Sequence, residues 1–104
     1  MRYAIAIPQM YADGTFSPGD FRSYFARVEE LGVYESAWTQ ESPLGSQPQL
    51  APLEVMTYAA ACTTSLRLGC TVFVTTLHSP VHLANAIASL DQLSGGREIG
   101  RAHV

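Results

Sequence analysis

The chain has 104 residues, of which 47% are hydrophobic and 14% are charged, and its formal net charge at pH 7 is -3. These values are typical of one globular domain with a substantial core, and they exclude a disordered chain. All six cations are arginine and no apolar run reaches membrane-spanning length, so we expect a cytoplasmic protein that binds neither nucleic acid nor a membrane.

The first predicted unit is a strand followed by a helix. Residues Tyr3 to Ile7 form a short apolar strand that ends at Pro8. Ser17 and Pro18 start the helix, because serine supplies a capping oxygen and proline needs no N–H partner at the first helical position. Apolar side chains at spacings of three and four then predict one buried helix face that continues to Gly32.

The second predicted unit follows directly. A strand spans Val33 to Thr39, and a long polar loop covers Gln40 to Ala51. Pro52 begins the next helix, which runs to about Thr63.

The third unit begins with an apolar run from Leu68 to Val74, which predicts a parallel strand buried on both faces. Ser79-Pro80 then predicts a helix start in which Ser79 provides the capping oxygen. Gly95-Gly96 ends that helix, since glycine accepts the left-handed conformation, and a fourth strand is expected just after Arg97.

The strand centres lie near residues 5, 36 and 71, which gives a repeat of βα-unit length. This repeat fits either a (β/α)8 barrel or a doubly wound open sheet, and periodicity alone does not choose between them. No GxGxxG follows the first strand, which argues against a dinucleotide-binding Rossmann half.

Several short motifs carry a resemblance to a known family. They are ARVEELG at 26–32, SAWTQE at 36–41, LRLG at 66–69, SP at 79–80 and LDQLSGGR at 90–97. Over residues 1–97 the chain resembles the N-terminal third of the luciferase-like monooxygenases. This family includes bacterial luciferases, FMN-dependent monooxygenases and deazaflavin-dependent oxidoreductases, and the segments AWTQE and TTLHSPVHLA are most similar to the deazaflavin-dependent members.

The resemblance implies an α/β fold in which the chain supplies the first three βα units of a (β/α)8 TIM barrel, left incomplete. It also implies an oxidoreductase that uses FMN or the deazaflavin coenzyme F420 on a small organic substrate. A flavin reductase would be a further partner, and the full-length protein would be a homo- or heterodimer.

Sites in such barrels lie at the C-terminal ends of the strands. Here those ends are Pro8 to Met10, Gln40 to Ser42 and the neighbourhood of Thr75 to His78. They provide Glu41 as the candidate catalytic residue, and Gln40 and His78 as candidate cofactor-binding residues. The resemblance adds Thr71 and Val72, which would lie behind the flavin ring, to the candidate cofactor-binding residues. The resemblance also implies a bulge with a non-prolyl cis peptide in the third strand, at Thr71-Val72. The alternative for Glu41 is an exposed loop carboxylate, and for His78 a loop residue outside the pocket.

Luciferase-type members end their second strand in Glu-His, whereas this chain has Glu41-Ser42. A serine cannot replace imidazole as a general base near neutral pH. The substitution therefore favours deazaflavin hydride transfer over luciferase-type proton chemistry.

Other residues receive structural interpretations. Trp38 is expected in the core rather than beside the flavin. The HxxxH spacing of His78 and His82 lacks an accompanying carboxylate, so no metal site is expected. Asp91 is expected to support the turn before Arg97. The two cysteines fit neither a redox pair nor a zinc site and are read as small buried side chains.

After Arg97 the family continues with an apolar strand and a glycine-rich loop, whereas this chain continues EIGRAHV. That segment is also the translation of GAG ATC GGA AGA GCA CAC GTC, which resembles a common sequencing adapter. We therefore expect residues 1–97 to be the N-terminal part of the barrel domain and residues 98–104 to be a non-native tail. An incomplete barrel is expected to be inactive alone.

Two rival functions stay open. One is an FMN-dependent monooxygenase that takes reduced flavin from a partner reductase and uses O2. The other is a non-catalytic, degenerate half-barrel that binds a partner through its open sheet edge.

Overall fold

The computed structural model describes residues 3–11, 16–41, 49–71, 73–74, 78–99 and 102–103. In chain order the elements are β1 (Tyr3–Ala6), α1 (Pro18–Leu31), β2 (Tyr34–Thr39), α2 (Pro52–Cys62), β3 (Arg67–Cys70), β4 (Phe73–Val74), α3 (Pro80–Leu93), β5 (Glu98–Ile99) and β6 (Ala102–His103). Strands and helices alternate through the first three units as the sequence predicts. In the described ranges, no helix combines the length and apolar character needed to cross a bilayer.

The main sheet has four parallel strands in the order β1-β2-β3-β5. Its helix side is built by alternate residues that lie in register across the strands, such as Ala37 beside Leu68, both fully buried. All three helices contribute to the same core cluster as these strand residues; their buried apolar members are Phe21, Phe25, Val28, Val55, Met56, Ala59, Ala60, Leu83 and Leu90. The helices therefore cover one face of the sheet.

The opposite sheet face is open. Ala4, Ala6 and Arg67 point to this side and are exposed. Because both faces of a parallel sheet are normally covered, this exposed face is the surface on which further parts of a fold would pack.

Helix ends follow the predicted signals with one exception. The Ser17 hydroxyl accepts a hydrogen bond from the Asp20 N–H at 3.2 Å, and Gly32 is left-handed with φ 69°. Gly95 and Gly96 are also left-handed. Ser79 occupies the N-cap position of α3, but its side chain makes no capping hydrogen bond, so the predicted capping role is wrong.

The third strand differs from the predicted continuous run over Leu68–Val74. It divides into β3 and β4 around a bend at Thr71, because the two pieces pair with different neighbours. Strand β3 pairs with β2 and β5, whereas β4 pairs with β6 in a separate two-stranded sheet. The predicted bulge at Thr71-Val72 falls at this break, but Val72 and its peptide bond lie outside the described residues.

Arg97 links the end of α3 to the end of α2. Its guanidinium donates to the carbonyl oxygens of Ala60 (3.0 Å), Thr63 (3.2 Å) and Leu66 (3.0 Å). These carbonyls lie at and just beyond the C-terminal end of α2, where backbone oxygens lack helical partners. Asp91 accepts a hydrogen bond from the Glu98 N–H at 3.3 Å, which confirms its predicted structural role at this turn.

Candidate functional site

A cavity of about 350 Å³ opens where β1 and β2 end and beyond β3. Its lining comprises Ala4, Ile5, Ala6, Ile7, Gln9, Trp38, Thr39, Gln40 and Thr71. Apolar groups from β1 form part of its wall, and amide and hydroxyl groups stand at the strand ends. A concave, mostly apolar site with a few placed polar groups is the usual form of a small-molecule pocket.

Gln9 holds this edge together. Its side chain is only 5% exposed, and its Nε2 donates to the carbonyl oxygens of Gln40 at 2.9 Å and Leu50 at 3.0 Å. Its Oε1 accepts from the Gln40 N–H at 2.9 Å. One buried amide therefore fixes the end of β1 against the end of β2 and the approach to α2.

The β2–β3 edge is fixed through two threonines. The Thr71 N–H donates to the Thr39 carbonyl oxygen at 2.8 Å, so the chain stays beside β2 for one residue after β3 ends. The Thr39 hydroxyl, itself buried, donates to the Gly69 carbonyl oxygen at 3.2 Å. These bonds hold the exposed Thr71 side chain at the cavity.

Trp38 lies on the open face of the sheet, which corrects its expected place in the core. Its indole N–H donates to the Ser36 hydroxyl at 2.8 Å, and its ring lies over Gly69. A Cβ atom at Gly69 would approach the ring within 2.6 Å. The absence of a side chain at Gly69 therefore lets the indole ring pack closely against the sheet and line the cavity.

Glu41 and His78 meet at this same edge. His78 Nε2 lies 2.8 Å from Oε1 and 2.6 Å from Oε2 of Glu41. The two side chains are 24% and 9% exposed, His78 and Glu41 respectively. Glu41 follows β2 and His78 precedes α3, so the pair joins two neighbouring strand-to-helix connections.

The structure thus brings four of the five sequence-selected residues to one edge. Gln40 and Thr71 line the cavity. Glu41, the residue after Gln40, pairs with His78 beside it. Val72 lies outside the described residues. Gln9 was not among these five residues, although it lies in Pro8 to Met10, one of the three strand ends that the sequence predicts at the site.

A second cavity, of about 370 Å³, lies on the outer side between the first turns of α1 and α2. Its lining is mainly apolar and aromatic: Phe16, Pro18, Phe21, Leu50, Ala51, Glu54, Val55 and Tyr58. It shares no lining residue with the strand-end cavity, and the polar pair of Glu41 and His78 is not part of it.

These features define a parallel βα protein with a candidate small-molecule site at the carboxyl ends of its strands. Comparison with protein families gives a match to the luciferase-like monooxygenase model over residues 3–99. The chain therefore belongs to the luciferase-like monooxygenase family.

Among curated proteins, the chain is similar to dibenzothiophene-sulfone monooxygenase from Rhodococcus erythropolis, with 32% identity over 103 residues. The match covers 83% of this chain but 22% of the relative. The chain thus spans about a fifth of the length of that relative.

Solved structures share the fold. The monooxygenase RslO1 from Streptomyces bottropensis matches with a TM-score of 0.78 and 24% identity, over 98% of this chain and 32% of that one. The FMN-bound oxygenating constituent of 3,6-diketocamphane monooxygenase from Pseudomonas putida matches with a TM-score of 0.77 and 16% identity, over 99% of this chain and 29% of that one. Coenzyme F420 dependent tetrahydromethanopterin reductase from Methanopyrus kandleri matches with a TM-score of 0.69 and 24% identity, over 97% of this chain and 26% of that one.

Proposed function

We propose that this chain is the N-terminal part of an FMN- or F420-dependent oxidoreductase that acts on a small organic substrate. The observation that carries the proposal is the cavity at the strand ends, with Gln9, Gln40 and Thr71 at its polar edge and the Glu41–His78 pair beside it. The family to which the chain belongs supports this assignment.

The arrangement of strands supports a barrel as the parent fold. Strands in a singly wound barrel follow one another in chain order with every helix outside, as β1, β2 and β3 and the three helices do. In a doubly wound sheet the helices would cover both faces. The open face with Ala4, Ala6 and Trp38 would then become the barrel interior, completed by strands that follow in the whole protein.

The residues at the cavity suit a flat cofactor ring. Trp38 and the alanines of β1 offer apolar contact, while Gln40 and Thr71 offer amide and hydroxyl groups for a polar ring edge. Gln9 positions Gln40 through its own hydrogen bonds. FMN or F420, when bound, supplies the redox chemistry, and the protein orients it. Phosphate groups of such cofactors commonly bind late βα loops of a barrel, which are not part of this chain.

A monooxygenase is the more specific form of this proposal. One curated relative is named a dibenzothiophene-sulfone monooxygenase and is 32% identical to this chain over 103 residues. An FMN-dependent enzyme of this kind would use O2 and receive reduced flavin from a separate reductase. A dehydrogenase or reductase that uses F420 is the second form, favoured by the AWTQE and TTLHSPVHLA segments.

For domain organisation we propose that residues 1–97 belong to the barrel and that residues 98–104 are not native to it. Glu98 supports this division, because it lies in register with buried Leu68 yet carries a carboxyl group. In the described part of the chain, no hydrogen-bond partner reaches its buried Oε1. An apolar residue would suit that position better.

Titration of the whole protein, expressed from the complete gene, with FMN and then with F420 tests the function. We expect one cofactor to bind at one equivalent per chain, with a shift in its visible absorption spectrum. The 104-residue chain serves as the comparison and is expected to be poorly soluble and to bind neither cofactor stoichiometrically. A whole protein that binds neither cofactor would contradict the proposal, as would a monomeric 104-residue chain that melts cooperatively and binds flavin.

A further inference from the structure

The side-chain amide of Gln9 bonds to Gln40 as the backbone of a neighbouring strand would. It accepts from the Gln40 N–H and donates to the Gln40 carbonyl oxygen, both at 2.9 Å. The second Nε2 hydrogen goes to the Leu50 carbonyl oxygen at 3.0 Å, so both donors of the amide are used. One buried side chain therefore holds the start and the end of the connection between β2 and α2.

The same bonds determine on which sheet face Gln40 lies. Along a strand, residues two positions apart share a face, and successive residues bond to opposite neighbours. The Trp38 carbonyl oxygen accepts from the β1 side, and the Thr39 carbonyl oxygen accepts from Thr71 on the β3 side. Gln40 bonds toward the β1 side again, through Gln9. It therefore continues the alternation, and its side chain lies on the open face that also carries Trp38.

Gln40 has a side-chain amide to offer on this face. The residue is exposed and lines the strand-end cavity. Within the described part of the chain, its hydrogen bonds involve only its backbone groups. A side-chain amide presents an acceptor and a donor side by side, which complements a ring edge that carries an N–H beside a carbonyl group. The imide edge of the FMN and F420 rings has this pattern.

We infer that the Gln40 amide binds the imide edge of the cofactor ring, and that Gln9 is a positioning residue that holds Gln40 for this contact. This inference rests on the proposed function. It concerns binding and orientation alone, since the cofactor supplies the redox chemistry. A group whose backbone is already fixed loses less freedom on binding, which is how Gln9 contributes to affinity.

A methyl group on the imide nitrogen tests the contact of Gln40. The whole protein would be titrated with the cofactor that it binds, FMN or F420, and with the same cofactor methylated at this nitrogen, followed by absorption and fluorescence. We expect methylation to weaken binding to the unmodified protein about tenfold, because one hydrogen bond is lost. In Gln40→Ala the two ligands should bind within about twofold of each other, and both about tenfold more weakly than the cofactor binds the unmodified protein.

A double-mutant cycle tests the role of Gln9. Gln9→Met keeps the length of the side chain but removes its hydrogen bonds, and it should weaken cofactor binding about tenfold. In the Gln40→Ala background the same replacement should weaken binding by less than about twofold, because the group that Gln9 positions is gone. Gln92→Met, at an exposed position near the end of α3, is the control and should leave the affinity unchanged.

The possible results separate the two parts of the inference. Equal binding of the methylated and unmethylated cofactors to the unmodified protein, or no effect of Gln40→Ala, would overturn the role of Gln40. Losses in Gln9→Met and Gln40→Ala that multiply in the double variant would overturn the positioning role of Gln9. Gln40→Ala changes an exposed side chain, so the methylation arm stands even where Gln9→Met does not fold. Failure of the unmodified protein to bind either cofactor would instead overturn the proposed function itself.

Discussion

Glu98 places a carboxyl group where the sheet meets α3, and its environment changes its protonation. Burial, together with the nearby Asp91 carboxylate, raises the pKa of Glu98 from 4.5 to about 7. Desolvation disfavours the charged form, and a like charge adds to that effect. Around pH 7 the Glu98 carboxyl group of the folded chain is therefore partly ionised, although its burial and the Asp91 carboxylate both disfavour the charge.

The pH dependence of stability follows from this shift. Between about pH 4.5 and pH 7 the folded chain binds more protons at Glu98 than the unfolded chain does, so its stability falls as the pH rises through this window. Glu98→Gln should remove this slope and raise stability near pH 7 by about 1 kcal/mol. Thermal unfolding of the 104-residue chain at low micromolar concentration, followed by circular dichroism across the window, measures it.

The matched control for this prediction is Glu30→Gln, which alters an exposed carboxylate and should leave the slope unchanged. Glu29 does not contribute to the slope between about pH 4.5 and pH 7. Burial of Glu29 opposes ionisation, but hydrogen bonds from Ser65 and Thr64 outweigh it and lower its pKa below 4.5, so its contribution is lost only at more acid pH. A slope that persists in Glu98→Gln would contradict the assignment to Glu98.

Gly69 and Trp38 provide a second test at the scale of single residues. An alanine Cβ at position 69 would lie 2.6 Å from the indole ring, so the ring must move. Gly69→Ala should destabilise the chain by about 1–3 kcal/mol and shift the fluorescence of Trp38, the one tryptophan in the sequence, toward that of an exposed indole.

Gly19→Ala is the control, since a Cβ there would meet nothing within 4 Å. It should leave the fluorescence unchanged and raise stability by up to about 1 kcal/mol, because alanine favours a helix more than glycine does. An unchanged Trp38 spectrum in Gly69→Ala would show that the ring does not lie over the glycine.

The sequence predicts part of this site because strand ends in a parallel sheet converge on one edge. That rule predicts Gln40, Glu41 and His78 at the site, whereas Thr71 is predicted there only by the family resemblance. It did not predict the hydrogen bond between Glu41 and His78, which depends on side-chain directions across 37 positions. Trp38 was predicted wrongly because large aromatic side chains usually pack in cores. Here the missing side chain of Gly69 leaves room for the indole ring on the open face of the sheet.

At the scale of elements, the guanidinium of Arg97 closes the C-terminal end of α2. A cation at this end also interacts favourably with the helix dipole. Lysine carries a single ammonium group on a flexible stem and cannot reach three carbonyl groups at once. Arg97→Lys should lower the free energy of unfolding of the whole protein by about 2 kcal/mol, measured by urea denaturation.

Arg27→Lys is the comparison for Arg97→Lys. The Arg27 side chain is 68% exposed and contacts only Glu30 among the ion pairs of the described residues. Its replacement should change stability by less than about 0.5 kcal/mol, because exposed ion pairs contribute little. Equal effects of the two replacements would contradict the capping role of Arg97.

The helices were the most predictable elements. Proline at the first position and glycine beyond the end are local signals, and they predicted the bounds of α1, α2 and α3 within one or two residues. The third strand was less predictable because its division into β3 and β4 depends on long-range pairing. Phe73 and Val74 pair with Ala102 and His103, a partner that no local signal predicts.

At the scale of the whole molecule, one sheet face packs on three helices and the other lies open. An edge strand and an uncovered sheet face that carries apolar groups such as Ala4, Ala6 and Trp38 favour association with other chains. This explains why we expect the 104-residue chain to be poorly soluble on its own. In the whole protein, the following strands would cover this face and complete the walls of the strand-end cavity.

Hydrogen–deuterium exchange of the whole protein, with and without its cofactor, tests the position of the site most directly. Each strand provides its own control, because one end lies at the cavity and the other lies at the opposite edge. We predict that the cofactor slows exchange in the segments around Gln9, Gln40 and Thr71, and leaves those around Val33 and Leu66 unchanged. Slower exchange confined to the Val33 and Leu66 edge, or to the groove between α1 and α2, would contradict a cofactor site at the carboxyl ends of the strands.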